Sequence, residues 1–285
     1  MTPPSGPDPD LTRKERREQA RSERKAMEAA AAQSAQRKRL IQLGGVIGVV
    51  VVIIIVIVVA SSGGSSGGGL ATGSKKNSTV ATVTSLIHGI PQSGNVLGYP
   101  NAPVTLQYFG DLECPICREF TLGALPKVIQ KYVRTGKVKI EYNSLETATD
   151  EQETFRTQQV AAYAAGKQNL AWYFIELFYH EQGKEDSGYV TENYLQGLAQ
   201  QVPGLNLIAW TAARDDPNLA STLTSDAQAV ERDGFTGTPS FLIGRTGGEF
   251  LKFRPPTDTN PTPYNLVIEA FLKPPTSRPG SSSAS

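Results

Sequence analysis

Phe109-Gly-Asp-Leu-Glu-Cys-Pro-Ile-Cys-Arg-Glu-Phe120 holds both cysteines of the 285-residue chain, Cys114 and Cys117. Two cysteines spaced Cys-x-x-Cys leave no spare thiol for structural bridges, so the pair is either a redox couple or part of a metal site. Ahead of it, Val104-Thr-Leu-Gln-Tyr-Phe109 is rich in β-branched and aromatic residues and predicts a strand. Behind it, Leu122, Leu125, Ile129 and Tyr132 recur at helical spacing. Cys114 is therefore expected where a strand gives way to the start of a helix.

Free backbone N–H groups and the positive dipole end at such a start favour a thiolate, and thiols so placed have pKa values of roughly 3.5–7.5 rather than about 8.5. Cys114 is read as the exposed, reactive sulfur, and Cys117, one turn further in, as its more buried partner. Glu113 opposes the thiolate and Arg118 supports it. Tetrahedral zinc takes four ligands, and the only histidines, His88 and His180, stand at no ligand spacing from the pair. Redox chemistry is favoured, with no metal and no cofactor assigned.

The first 39 residues cannot build a core. Met1–Asp10 is Pro-rich, and Leu11–Arg39 carries ten Lys/Arg against four Glu with almost no large apolar side chain. This stretch reads as a basic cytoplasmic tail, either simply solvated or lying against anionic head groups. Residues 40–60 are uncharged and almost wholly apolar, which at about 1.5 Å per residue crosses a hydrocarbon core of roughly 30 Å. They predict a single transmembrane helix, uncleaved because the basic region is long and the apolar run exceeds that of a signal peptide. The basic excess precedes the span, so the N-terminus is cytoplasmic and the remainder extracytoplasmic, where disulfides persist. A Gly/Ser-rich linker follows over 61–79.

Residues 80–273 are long enough for one globular core, and 274–285 read as a disordered Pro/Ser tail. A formal net charge of +1 suggests no nucleic-acid partner. Val80–Ile87 reads as a short strand, followed by turn-rich stretches over 89–94 and 98–103. The helix after the cysteines should kink at Pro126 and stop at Gly136. Lys137–Ser144 alternates as a second strand, parallel to the first. A helical insertion over about 149–233 comes next, opened by an Asp150/Glu153 capping box and closed by a helix with Asp216 as N-cap and Pro217 at its first position. Its aromatic cluster, Trp172, Phe174 and Phe178, is expected to be core. Ser240–Gly244 and Glu249–Phe253 form a hairpin, and Tyr264–Leu272 a last amphipathic helix.

Over Ile87–Leu272 the chain resembles the DsbA-like branch of the thioredoxin superfamily, specifically its membrane-anchored bacterial members. The resemblance rests on Gly89-Ile-Pro-Gln92, on Leu97-Gly98 through Ala102-Pro103-Val104, on Cys114-Pro-Ile-Cys117, on the helical insertion and on Thr236-Gly-Thr-Pro-Ser-Phe241. It implies a thioredoxin-type α/β fold and a thiol–disulfide oxidoreductase with Cys114 and Cys117 catalytic, supported by Pro115, Ile116, Thr238, Pro239 and Asp111. Pro239 would be cis against the disulfide, leaving the backbone of Thr238 to pair with an incoming peptide. The implied substrates are cysteine-containing exported proteins, and reoxidation would use a quinone-linked membrane partner.

Two positions depart from the family pattern. Ile116 stands where strong oxidants have histidine, and Tyr108 where many relatives bury a carboxylate. Proton transfer would then use water or Asp111, although Asp111 also suits a surface turn. Oxidase activity is the favoured reading because no dimerisation module typical of an isomerase is visible. A reductase or isomerase, or a redox-idle module that binds unfolded chains or a membrane partner, stands as the alternative.

Overall fold

The computed structural model describes residues 70–274, in which a six-stranded sheet places the cysteine segment at its centre. The strands are β1 (Gln92–Ser93), β2 (Val96–Leu97), β3 (Val104–Gly110), β4 (Val138–Ser144), β5 (Ser240–Arg245) and β6 (Phe250–Phe253). Their spatial order is β1-β2-β4-β3-β5-β6. Only β3 and β4 run parallel; every other neighbouring pair is antiparallel. With a helical crossover between β3 and β4, this is the strand–helix–strand unit that the sequence predicts. β3 is buried along almost its whole length, as a central strand covered on both faces must be.

The residues before the sheet differ from expectation. Val80–Ile87, read as a strand from its β-branched residues, belongs to helix α1 (Gly73–Ile87), which also takes in the end of the stretch read as linker. Val83, Leu86 and Ile87 are its buried residues, at the i, i+3, i+4 spacing of one helical face, so tertiary packing overrides local strand propensity. The guanidinium of Arg134 donates to the carbonyls of Leu86 (2.7 Å) and His88 (3.0 Å) and so satisfies the open C-terminal end of α1. The turn-rich stretch that follows contains the short β1–β2 hairpin.

The helix after the cysteines is broken earlier than Pro126. α2 (Pro115–Leu122) ends at Gly123, α3 (Leu125–Val128) restarts beyond it, and a π-helical turn over Ile129–Val133 leads to β4. A side chain at Gly123 would come within 2.6 Å of the Glu119 carbonyl and 2.9 Å of the Thr259 backbone, so only glycine fits the break. Pro126 sits in the first turn of α3, where a missing N–H costs no hydrogen bond.

Between β4 and β5 the chain is helical: α4 (Gln152–Gly166), α5 (Ala171–Glu181), α6 (Glu192–Ala199), α7 (Leu207–Ala213) and α8 (Pro217–Asp233). The expected capping box on α4 does not form: Glu151 is the N-cap without a side-chain bond, and the Asp150 amide donates to Asp186 instead. Asp216 does cap α8, accepting from the Asn218 amide at 2.9 Å, and Gly234 closes that helix in the left-handed conformation. Trp172, Phe174 and Phe178 are fully buried, as expected of core. Asp226 of α8 accepts from Ser144 of β4 and Tyr163 of α4, pinning the insertion to the sheet. A final helix, α9 (Thr262–Leu272), covers the β5 side through Tyr264, which packs on Phe241. The apolar 40–60 span lies outside the described residues; among the described residues no helix is long and apolar enough to cross a membrane.

Among the buried polar side chains of the described residues, one carboxyl group has both oxygens buried without any partner. Glu176 of α5 is fully buried, neither carboxylate oxygen has a partner, and burial alone raises its carboxyl from 4.5 to about 8. The unfolded chain ionises Glu176 from about pH 4.5 upward while the folded chain keeps it protonated to about pH 8, so its cost to folding grows across that window. Glu176→Leu is expected to raise the thermal midpoint at every pH, with the gain over the parent chain widening from pH 4.5 to pH 8 and level beyond. Thermal melts across that range check it.

Candidate active site

β3 delivers the chain to the site, and Asp111 then organises it. The Asp111 carbonyl accepts from the Cys114 amide (3.1 Å) and its carboxylate from the Glu113 amide (3.1 Å), so one residue closes the turn with both backbone and side chain. The same carboxylate, fully buried, accepts from the amides of Thr147 (3.1 Å), Ala148 (2.9 Å) and Thr149 (3.1 Å) and from the Thr149 hydroxyl (2.7 Å). Asp111 is thus neither a surface turn residue nor a carboxylate with a free face.

The loop it gathers reaches the second half of the site. Thr147 and Thr238 share a hydroxyl–hydroxyl hydrogen bond of 2.5 Å. Because Ser240 pairs with Phe109 across β5 and β3, the segment just before β5 lies alongside the cysteine turn. There the Thr238–Pro239 peptide is cis. Cys117 and Cys114 are both free thiols, and the Cys114 sulfur lies 3.6 Å from the Thr238 carbonyl.

Cys114 is the N-cap of α2, with Pro115 opening the helix and the Cys117 amide donating to its sulfur at 3.4 Å. Its thiol is brought from 9.0 down to about 7, chiefly by the hydrogen bond from Cys117, against the opposing effect of burial, with Thr238 and the amides of Cys117 and Ile116 assisting. Cys114 is only 4% exposed, so the sulfur expected to be open is nearly covered, while its neighbour Ile116 is 42% exposed. Cys117 has no exposure, and burial pushes its thiol well above the ordinary range, with the Cys114 hydrogen bond adding to the rise.

The flanking charges act differently from expectation. Arg118 turns away from the sulfur and donates to the Tyr179 carbonyl at 2.9 Å. Glu113 is nearly buried, and burial, then Asp111 and Asp186, raise its carboxyl to about 7, which dilutes its opposition to a thiolate at neutral pH. Under the pair, Tyr108 donates to the Tyr179 hydroxyl (2.9 Å), which in turn donates to the Asp111 carbonyl (3.1 Å). Burial first, and then Cys117, raise Tyr108 well above its ordinary value, so it holds its proton and acts as a donor.

Several residues of the site carry no motif signal. Gln182, just beyond α5, donates to the carbonyls of Leu112 (2.7 Å) and Cys114 (3.1 Å) and braces the turn from outside. Tyr179, Thr147 and Thr149 join only through tertiary packing. Asp111→Ala would leave buried amides of two loops without an acceptor, so it is expected to cost about 3 kcal/mol or more, read as a lower urea midpoint at unchanged slope.

Residues 92–249, just over half of the chain, match the thioredoxin family model. The probable disulfide bond formation protein D of Bacillus cereus is 23% identical over 148 residues, covering 52% of this chain and 68% of that protein. The solved structure of oxidised BdbD from Bacillus subtilis is similar with a TM-score of 0.53 at 22% identity, over 64% of this chain and 97% of that one. Wolbachia pipientis alpha-DsbA1 gives 0.52 at 19% identity, over 62% and 90%. The two structures share the fold described above. The chain belongs to the thioredoxin family.

Proposed function

We propose that this chain exchanges a Cys114–Cys117 disulfide with cysteine pairs of exported proteins, in the oxidising direction. The observation that carries the reading is the inequality of the two sulfurs: Cys114 caps a helix with its thiol near 7, and Cys117 behind it is kept protonated by burial. A substrate thiolate attacks the Cys114 sulfur, the S–S bond breaks, and the electron pair leaves on Cys117, which takes up a proton. The substrate's second thiolate then attacks its own bridged sulfur and expels Cys114 as a thiolate. Two substrate thiols become one disulfide, and one protein disulfide becomes two thiols.

In this reading Asp111 holds the turn and Pro115 starts the helix. Ile116 offers an apolar contact next to Cys114, and the backbone of Thr238 beside Pro239 pairs with the extended substrate. Asp111 takes no proton-transfer role, since its oxygens are filled by donors. The 40–60 span anchors the protein in the bacterial plasma membrane with its N-terminus cytoplasmic and its thioredoxin domain outside, close to a quinone-linked partner that reoxidises the pair. The name of the Bacillus cereus relative, a disulfide bond formation protein, supports the oxidising direction.

The full-length Cys117→Ala variant, expressed in a bacterium, is expected to accumulate mixed disulfides between Cys114 and exported proteins on non-reducing gels. A complete lack of adducts would favour the redox-idle binding module. A second reading, reductase or isomerase, draws on the Cys114 thiol itself: about 7 is the thioredoxin value, whereas the strongly oxidising DsbA lies near 3.5. Equilibration against a glutathione series decides the direction. A pair half-reduced at the oxidising end of the series fits the oxidase, and one that stays oxidised until the reducing end fits the reductase.

A further inference from the structure

A groove of about 330 Å³ opens beside Ile116, Thr238 and Pro239, and Lys252 and Arg254 line it from the β6 side. β6 is the free edge of the sheet, so nothing in the sheet covers these side chains. Both residues are exposed, and neither forms an ion pair with any described residue. The Lys252 ammonium rests 5.7 Å from the centre of the Phe235 ring, which also lines the groove.

One carboxylate among the described lining residues faces these two cations, Asp258. It is half-buried, and burial together with the neighbouring Glu119 pulls its carboxyl up from the ordinary range, so it favours the anion less than a free aspartate does. The groove lining therefore carries two cations outside any ion pair among the described residues and one carboxylate, together with the Phe235 ring. It begins where an extended segment bonded to Cys114 must pass.

We propose that Lys252 and Arg254 make this site prefer cysteine-containing segments carrying an acidic side chain within about two residues of the reacting cysteine. The inference rests on disulfide exchange at Cys114 and adds a substrate class to it. Along an extended segment two residues span about 6.6 Å, so a side chain within two residues of the reacting cysteine stays beside the groove that Thr238, Pro239, Lys252 and Arg254 line.

The test uses the oxidised full-length chain and three dithiol peptides identical except for Glu, Gln or Lys beside the first cysteine. The Glu peptide is expected to react with a kcat/KM about tenfold above the Lys peptide at low salt, mostly through KM, with the Gln peptide between. The paired variant Lys252→Glu/Arg254→Glu should invert that order. Lys137→Gln/Lys139→Gln removes two charges at the start of β4, away from the end of β3 that leads to Cys114, and should keep it. Equal rates for the three peptides, or an order that survives the charge reversal, overturn the inference while leaving the exchange reaction standing. Reaction with none of the peptides overturns both.

Discussion

A single buried carboxylate holds the site together. Burying Asp111 away from water would be costly if its oxygens were unmet, but four backbone N–H groups and a hydroxyl converge on them. These donors come from two separate loops, one carrying Cys114 and one following β4. Through Thr147 the second loop reaches Thr238, so the cysteine turn and the segment before β5 are positioned against one another by the same charge. Loops are ordinarily the least ordered parts of a fold; here three of them share one rigid node.

From that node follows the inequality of the sulfurs. The turn closed by Asp111 sets Cys114 at the start of α2, where the helix's own amides and the Cys117 thiol bond to its sulfur. The same helix carries Cys117 inward among Phe120, Tyr108 and Tyr142, where no charge is solvated. One helical turn thus separates a thiol that ionises near neutrality from one that does not. Tyr108 completes the arrangement as a neutral hydrogen-bond donor in a floor of tyrosines, stacked on Phe241 and linked through Tyr179 to the Asp111 carbonyl.

Much of this was legible in the chain because it is local. The strand before Cys114, the helix after it, the parallel return strand, the helical insertion with its Asp216 cap and the final hairpin all follow from short-range pattern and turn chemistry. The cis Thr238–Pro239 bond was implied by family resemblance alone. What escaped is what depends on partners distant in sequence. α1 looks like a strand until Val83, Leu86 and Ile87 find a core, and Asp150 looks like a cap until Asp186 takes its amide. Asp111 was visible as a residue but not as a node, because all its donors except the Glu113 amide lie more than thirty positions downstream. Gln182 has no motif at all, and its role exists only once α5 ends beside the cysteine turn.

Reactivity and selectivity are separable in this architecture. What lowers the Cys114 thiol is its hydrogen bonding to Cys117, Thr238 and helix amides; no basic side chain contributes. Lys252 and Arg254 occupy the groove beyond Pro239 without entering that set, so their charge acts on the segment that docks and not on the sulfur that reacts. A histidine between the cysteines would have tied the two together, since the same cation would stabilise the thiolate and meet the substrate. With Ile116 there instead, uncharged and exposed, the surface next to the sulfur is apolar and the cations of the groove are Lys252 and Arg254. Changes along β6 can then retune which segments are accepted while the thiol near 7, and the chemistry it permits, stay fixed by the Asp111 node.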